Sequence, residues 1–131
     1  MAKRTFTLLF LIILSAIAGH AQTGQVKACR MMSRPLTLRK SQTWTTLKGT
    51  VPASGKVEYR LKPTSTMEVE LTVAKTTIIK VDIYSLNPAT KVVTRADMFK
   101  GTFSAGTEYS LVLSNCYGNT ANAFQFQIRA Q

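Results

Sequence analysis

Two glutamates two residues apart, Glu68 and Glu70, come nearest in this sequence to acid–base machinery. On an extended strand they would share one face, with their carboxyl groups about 7 Å apart, a separation that glycoside hydrolysis can use. They alternate with Met67, Val69 and Leu71, so the same positions read as the wet face of a half-buried strand, and the pattern favours that reading. The remaining supply of reactive groups is thin. The only histidine is His20, inside the first 21 residues. A chain processed after Ala21 has no imidazole, and therefore no Ser-His-Asp triad and no Cys-His dyad. Zinc sites need histidines or several cysteines, and the cysteines are two, Cys29 and Cys116. Asp82 and Asp97 do not have the spacing of a calcium loop. Six Asp and Glu in all leave little for catalysis. The expectation is a non-enzyme with no cofactor and no metal.

Residues suited to binding are better represented. The stretch 115–122 (NCYGNTAN) is the most polar and turn-rich of the chain. Asn115, Asn119 and Asn122 offer both donors and acceptors, and Tyr117 beside Gly118 offers a flat ring for a sugar or a protein cleft. The plainer reading is a turn in which Gly118 and the asparagines supply positive φ. A second candidate is electrostatic. Lys27, Arg30, Arg34, Arg39, Lys40, Lys48 and Lys56 all precede the first acid, Glu58. Such a run is either a solvated basic surface or a face for an anionic partner. Arg30, Arg34, Arg39, Lys40 and Lys48 are the residues expected to carry it. Trp44 would either stack on a glycan or pack against the sheet. It is the only aromatic residue in that basic stretch, where binding of single-stranded nucleic acid would want several.

The compartment follows from the first 21 residues. Lys3 and Arg4 precede an apolar run of about ten residues (LLFLIILSAI, 8–17), and Gly19-His20-Ala21 forms a small-x-small site. This is the pattern of a secretory signal peptide cleaved before Gln22, with a run too short for a permanent bilayer span. The processed chain is then about 110 residues, one domain, with no later segment apolar enough to cross a membrane. Its formal charge is about +9 once Lys3 and Arg4 are gone, against +11 for the whole chain. A periplasmic or secreted location follows, and export disfavours nucleic acid as a partner. In an oxidising compartment Cys29 and Cys116 are expected to bridge, closing a loop of about 88 residues. The alternative is two unpaired thiols, one of them buried.

The elements that must position these residues are strands. Period-two alternation dominates after Pro35. Expected strands are Leu36-Thr37-Leu38, then residues 43–51, 56–62, 67–73 and 78–84, a weak one at 91–95, a segment around Gly101 at 96–103, and 109–115 and 124–129. Val57, Tyr59 and Leu61 share one face, as do Ile79, Val81 and Ile83, and Phe124, Phe126 and Ile128. Turns fall at 52–55, 63–65, Asn87-Pro88 and 104–107. Seven to nine short strands at this spacing predict an all-β sandwich with antiparallel sheets, each wet on one face. Residues 22–35 are the least regular part, an irregular lead-in unless Cys29 pins it, with the sandwich domain over 36–131.

The order of these segments carries a resemblance. A GTV strand (Gly49-Thr50-Val51) is followed by VEYRL (57–61), MEVELTV (67–73), IKVDIY, KGTFSAGTEYSLVLSN (100–115) and a closing FQFQI. Gly106-Thr107-Glu108-Tyr109 opens the penultimate strand, and 118–124 leads into the last. This is similar to bacterial pre-peptidase C-terminal domains and to the related inhibitors of g-type lysozyme, over roughly 36–131. The resemblance implies a jelly-roll-like sandwich without catalysis. The inhibitors' serine–glycine–tyrosine motif is met here only by Ser54, Gly55 and Tyr59, with different spacing and with Tyr59 on the apolar face, so it reads as chance. Together the readings give an exported, non-catalytic binding module for a glycan, an anionic envelope component or a protein partner. The alternative is an inhibitor of a lysozyme or other secreted hydrolase, with the Tyr117 loop plugging its cleft.

Overall fold

The structure, a computed structural model, describes residues 29–131. The expected leader, residues 1–21, and Lys27 lie outside them. Nine strands follow in order: β1 (Arg30–Pro35), β2 (Thr45–Val51), β3 (Gly55–Leu61), β4 (Met67–Val73), β5 (Val81–Ser85), β6 (Thr90–Ala96), β7 (Met98–Phe103), β8 (Tyr109–Asn115) and β9 (Asn122–Ala130). They build two sheets, β1-β3-β8-β5-β6 and β2-β9-β4-β7. No helix occurs among the described residues, and so no helix there is long and apolar enough to cross a membrane.

Alternation sets which face of each strand is buried. Met67, Val69, Leu71 and Val73 of β4 are buried, as are Phe124, Phe126, Ile128 and Ala130 of β9 and Val57, Tyr59 and Leu61 of β3. These inner faces meet in one core, because each sheet can hide its apolar side only against the other. Tyr59 sets its ring edge against Phe126 with centroids 5.8 Å apart, so its place is in the core and not at a binding surface. Phe103 stacks on Tyr109 at 4.0 Å, and the Tyr109 hydroxyl accepts a hydrogen bond from the Ser104 amide at 2.8 Å. Here the polar end of a core aromatic closes the turn before β8.

Three elements depart from expectation. The segment read as an irregular lead-in contains β1, pairing with β3 from Arg30↔Gly55 to Pro35↔Arg60. That pair is parallel, so the sandwich is antiparallel in every strand pair except this one. Every residue of β1 is exposed, so no apolar rhythm marks it. What fixes it is the Cys29–Cys116 disulfide at its start and the ladder to β3. Leu36-Thr37-Leu38, expected as a strand, lies outside the strands. Leu36 and Leu38 pack on the core from a crossing segment, so their alternation records packing without a ladder. The strand expected from Ile78 begins at Val81, and Ile78 is exposed.

Candidate functional site

Residues 115–122 join β8 to β9 at one end of the sandwich, and the 52–55 turn joins β2 to β3 beside them. Backbone bonds tie the two together. The Ser54 amide donates to the Gly118 carbonyl at 3.1 Å, and the Ser54 carbonyl accepts from the Arg30 amide at 3.3 Å. The turn is thus held between the start of β1 and the 115–122 loop. The disulfide adds a covalent tie between the same two elements, with Cα atoms 5.2 Å apart.

Asn115 is the hub of this end. Its Nδ2 donates to the Pro52 carbonyl at 3.1 Å and the Thr120 carbonyl at 2.9 Å, with a longer contact to the Val51 carbonyl. Its Oδ1 accepts from Asn122 Nδ2 at 3.3 Å. Asn115 is buried and Asn122 half-buried, so these two amides are committed to bonds inside the protein. Gly118 is there because of space. Its φ is not positive, but a Cβ would stand 1.9 Å from Asn115 Oδ1. The positive φ in this region belongs to Ser54, at 53°.

Two of the expected binding residues face solvent. Tyr117 is 98% exposed, and Asn119 lies on an open groove of about 1050 Å³ lined also by Arg30, Met31, Met32, Ser54 and Gly55. Met31 and Met32 are 48% and 41% exposed. Soft, adaptable thioethers in the open are the material of a contact surface. Sequence reading missed this pair, and the available signal was two adjacent methionines flanked by arginines with no rhythm to bury them.

The basic residues do not form one patch. Arg30 sits at the groove. Arg34 points to the other sheet, its Nη1 3.7 Å from where a Cβ on Gly49 would be, so edge strands β1 and β2 face each other across one open side. Lys48 lies beside Gly49 on β2, and Lys40 bridges to Ala130 at the opposite end from the 115–122 loop. Arg39 precedes it. The carboxylates are engaged elsewhere. Glu58 pairs with Arg60 at 3.0 Å, Glu108 with Arg60, Glu70 with Arg129 and Lys100, and Asp97 with Lys80. Asp82 accepts from the Arg95 amide and Glu68 from the Thr102 hydroxyl. Among the described residues none of Arg30, Arg34, Arg39, Lys40 and Lys48 has a carboxylate partner.

The other chemical candidates have structural partners. Arg129 donates to Glu70 Oε2 from Nε at 3.1 Å and Nη2 at 2.8 Å. This bonding, against a smaller opposing effect of burial, holds the Glu70 carboxyl below its ordinary range. The same guanidinium lies 4.4 Å from the Trp44 ring centre, so one face of the indole is covered. Glu58 is 3% exposed although it faces outward from β3. Burial pushes its pKa up, but hydroxyls from Ser110 and Ser33 and the Arg60 charge outweigh that, and the carboxyl is held below its ordinary range.

The chain is a two-sheet β-sandwich with a disulfide-stapled loop at one end, from which Tyr117 projects into solvent. Its fold is that of the periplasmic inhibitors of g-type lysozyme. The Aeromonas hydrophila inhibitor PliG superposes with a TM-score of 0.64 at 11% identity, over 79% of this chain and all of that one. The Salmonella Typhimurium PliG gives 0.50 at 12% identity, over 76% of this chain and 97% of that one. More distant, at a TM-score of 0.40 and 9% identity, is the pre-peptidase C-terminal domain of a Bacillus anthracis collagenase, over 82% of this chain and all of that one. No family model and no curated protein matches the sequence.

Proposed function

We propose that this chain is an exported protein that binds a partner protein, and that the partner is a secreted hydrolase of the lysozyme kind. The observation that carries this reading is the superposition on the whole length of the Aeromonas hydrophila protein, described as a periplasmic lysozyme inhibitor of g-type lysozyme. It favours the inhibitor reading over a glycan-binding module, which no comparison supports. The secretory leader read from residues 1–21 fits action in the periplasm or outside the cell.

The end of the sandwich at 115–122 supplies a suitable contact surface. Tyr117 projects fully, while the loop under it is fixed by Asn115 and the disulfide. A rigid loop with one free aromatic ring loses little freedom on docking. Arg30 beside it, without a carboxylate partner, selects an acidic rim on the partner's cleft.

The test is titration of the processed protein into g-type lysozyme acting on a cell-wall suspension. Expected is loss of turnover at near-equal molarity and a complex that co-elutes on gel filtration. Full activity with excess protein across lysozymes of different types, with no complex formed, overturns the reading.

A further inference from the structure

Among the described strands, only β1 places no side chain in the core or against it. Without β1 each sheet still has four strands, and the core between them is complete. The strand is held instead at its two ends. The Arg30 amide donates to the Ser54 carbonyl at 3.3 Å, and beyond Pro35 the Leu36 amide donates to the Arg60 carbonyl at 2.8 Å. Between these, β1 adds the ladder to β3 and one side-chain bond, from the Ser33 hydroxyl to Glu58 at 2.6 Å. After the strand Leu36 packs on the core. Before it the anchor is the Cys29–Cys116 bridge.

Fixing the backbone of a residue costs more than one solvent-exposed hydrogen bond returns. All six residues of β1 are exposed, so no buried apolar area makes up the difference, and the strand depends on both anchors. The bridge is the one that chemistry can open. Cys29 and Cys116 are half-buried, within reach of a small thiol. The Ser114 hydroxyl donates to Cys116 Sγ at 3.2 Å, which favours negative charge on that sulfur as it leaves. A dithiol attacks Cys29 Sγ through one thiolate, and the electron pair of the sulfur–sulfur bond departs on Cys116. The second thiol then closes on the first and releases Cys29. The dithiol is oxidised to its own disulfide, and the two protons it gives up end on Cys29 and Cys116.

We propose that the Cys29–Cys116 bridge is a redox latch: its reduction by a dithiol lets β1 leave the sheet while the other eight strands stay folded. The latch bears on binding through position. Arg30, Met31 and Met32 form one wall of the open groove whose other wall is residues 52–55 and Asn119, and Cys116 is next to Tyr117. Opening removes that wall and the covalent tie under the loop together. The oxidised protein then presents the whole contact surface, and the reduced protein presents Tyr117 on a loop held by Asn115 alone. This consequence rests on the hydrolase-binding reading; the opening of β1 does not.

Native-state amide exchange of the processed protein, with and without dithiothreitol, tests the latch in the absence of any lysozyme. After reduction the β1 amides that donate to β3 should exchange nearly as fast as in an unstructured peptide, while amides of β4 and β9 stay protected by about a thousandfold or more. Cys29→Ala/Cys116→Ala should show the reduced pattern whether or not dithiothreitol is present. Ser33→Ala, which removes the side-chain bond and keeps the bridge, should leave β1 protected. Titrated into g-type lysozyme without reductant, the double-cysteine variant should inhibit about tenfold more weakly than the oxidised parent. Protection of β1 that survives reduction, or loss of protection in β4 and β9 together with β1, overturns the latch. Equal inhibition by the variant and the parent overturns its effect on binding. No inhibition by the oxidised parent, with the exchange pattern as expected, defeats the hydrolase reading and supports the latch.

Discussion

Gly118 stands so close to Asn115 that a methyl group on its α-carbon would lie 1.9 Å from Asn115 Oδ1. The amide that blocks the methyl is the same one that donates to the Pro52 and Thr120 carbonyls. Gly118→Ala must therefore displace a buried side chain, at about 1–3 kcal/mol. Asn115→Ala strands two carbonyls at a similar cost, about 1–3 kcal/mol. The pair should be strongly non-additive, because removing the amide makes room for the methyl. Urea unfolding of both single variants and the double variant checks this. The double variant should be clearly less destabilised than the sum.

The disulfide joins residues 87 apart in sequence. Its loss frees the chain-entropy cost of a long loop in the unfolded state, so Cys29→Ala/Cys116→Ala should be less stable by about 2–4 kcal/mol. At this chain size that lowers Tm by about 10 °C or more. The rest of the sandwich does not depend on it, so the far-ultraviolet spectrum should keep its β character. Thermal melts of the variant beside the parent, with and without reductant, measure both effects. The variant should not respond to reductant.

Glu58 should give the protein an acid-sensitive step. Its folded pKa is held below 4.5, the ordinary value, by Ser110, Ser33 and Arg60 working against burial. A depressed carboxyl stabilises the fold above its unfolded pKa, and that contribution is lost as pH falls through the lower folded pKa. Stability should therefore fall below about pH 4.5. Glu58→Gln should cost about 1–3 kcal/mol at neutral pH and flatten the acid limb. Glu70 is depressed in the same direction, mainly by Arg129, so some slope should survive the substitution. Denaturation midpoints from pH 3 to 7 for both proteins test the prediction.

The burial of Glu58 also shows where sequence reading stops. In VEYRL the alternation places Glu58 outward, and it does point outward. It is buried because β1 lies alongside and supplies Ser33, while β8 supplies Ser110 from 52 residues away. Nothing near Glu58 in sequence announces either partner. By contrast, β4 and β9 are legible because every second residue, from Met67 in β4 and from Phe124 in β9, is apolar and buried. β1 was not, since a fully exposed strand is specified by pairing and a disulfide, and neither leaves a hydrophobic rhythm. At 115–122 the composition marked an end loop of the sandwich. It did not separate the asparagines that hold the loop from the tyrosine that projects from it.

That separation yields the sharpest functional prediction. Tyr117 is 98% exposed and holds nothing in place, so Tyr117→Ala should leave stability within about 0.5 kcal/mol of the parent. If the loop enters a hydrolase cleft, the ring is the anchor, and its removal should cost about 1.4–3 kcal/mol of binding, a tenfold to hundredfold weaker inhibition constant. Arg30→Ala should act differently. A rim charge mainly steers encounter, so it should slow association and reduce its salt dependence while dissociation changes little. Surface plasmon resonance with immobilised lysozyme separates the two, rate by rate. Unchanged dissociation for Tyr117→Ala would mean that the ring does not enter the cleft, and the loop would have to be replaced by another part of the surface.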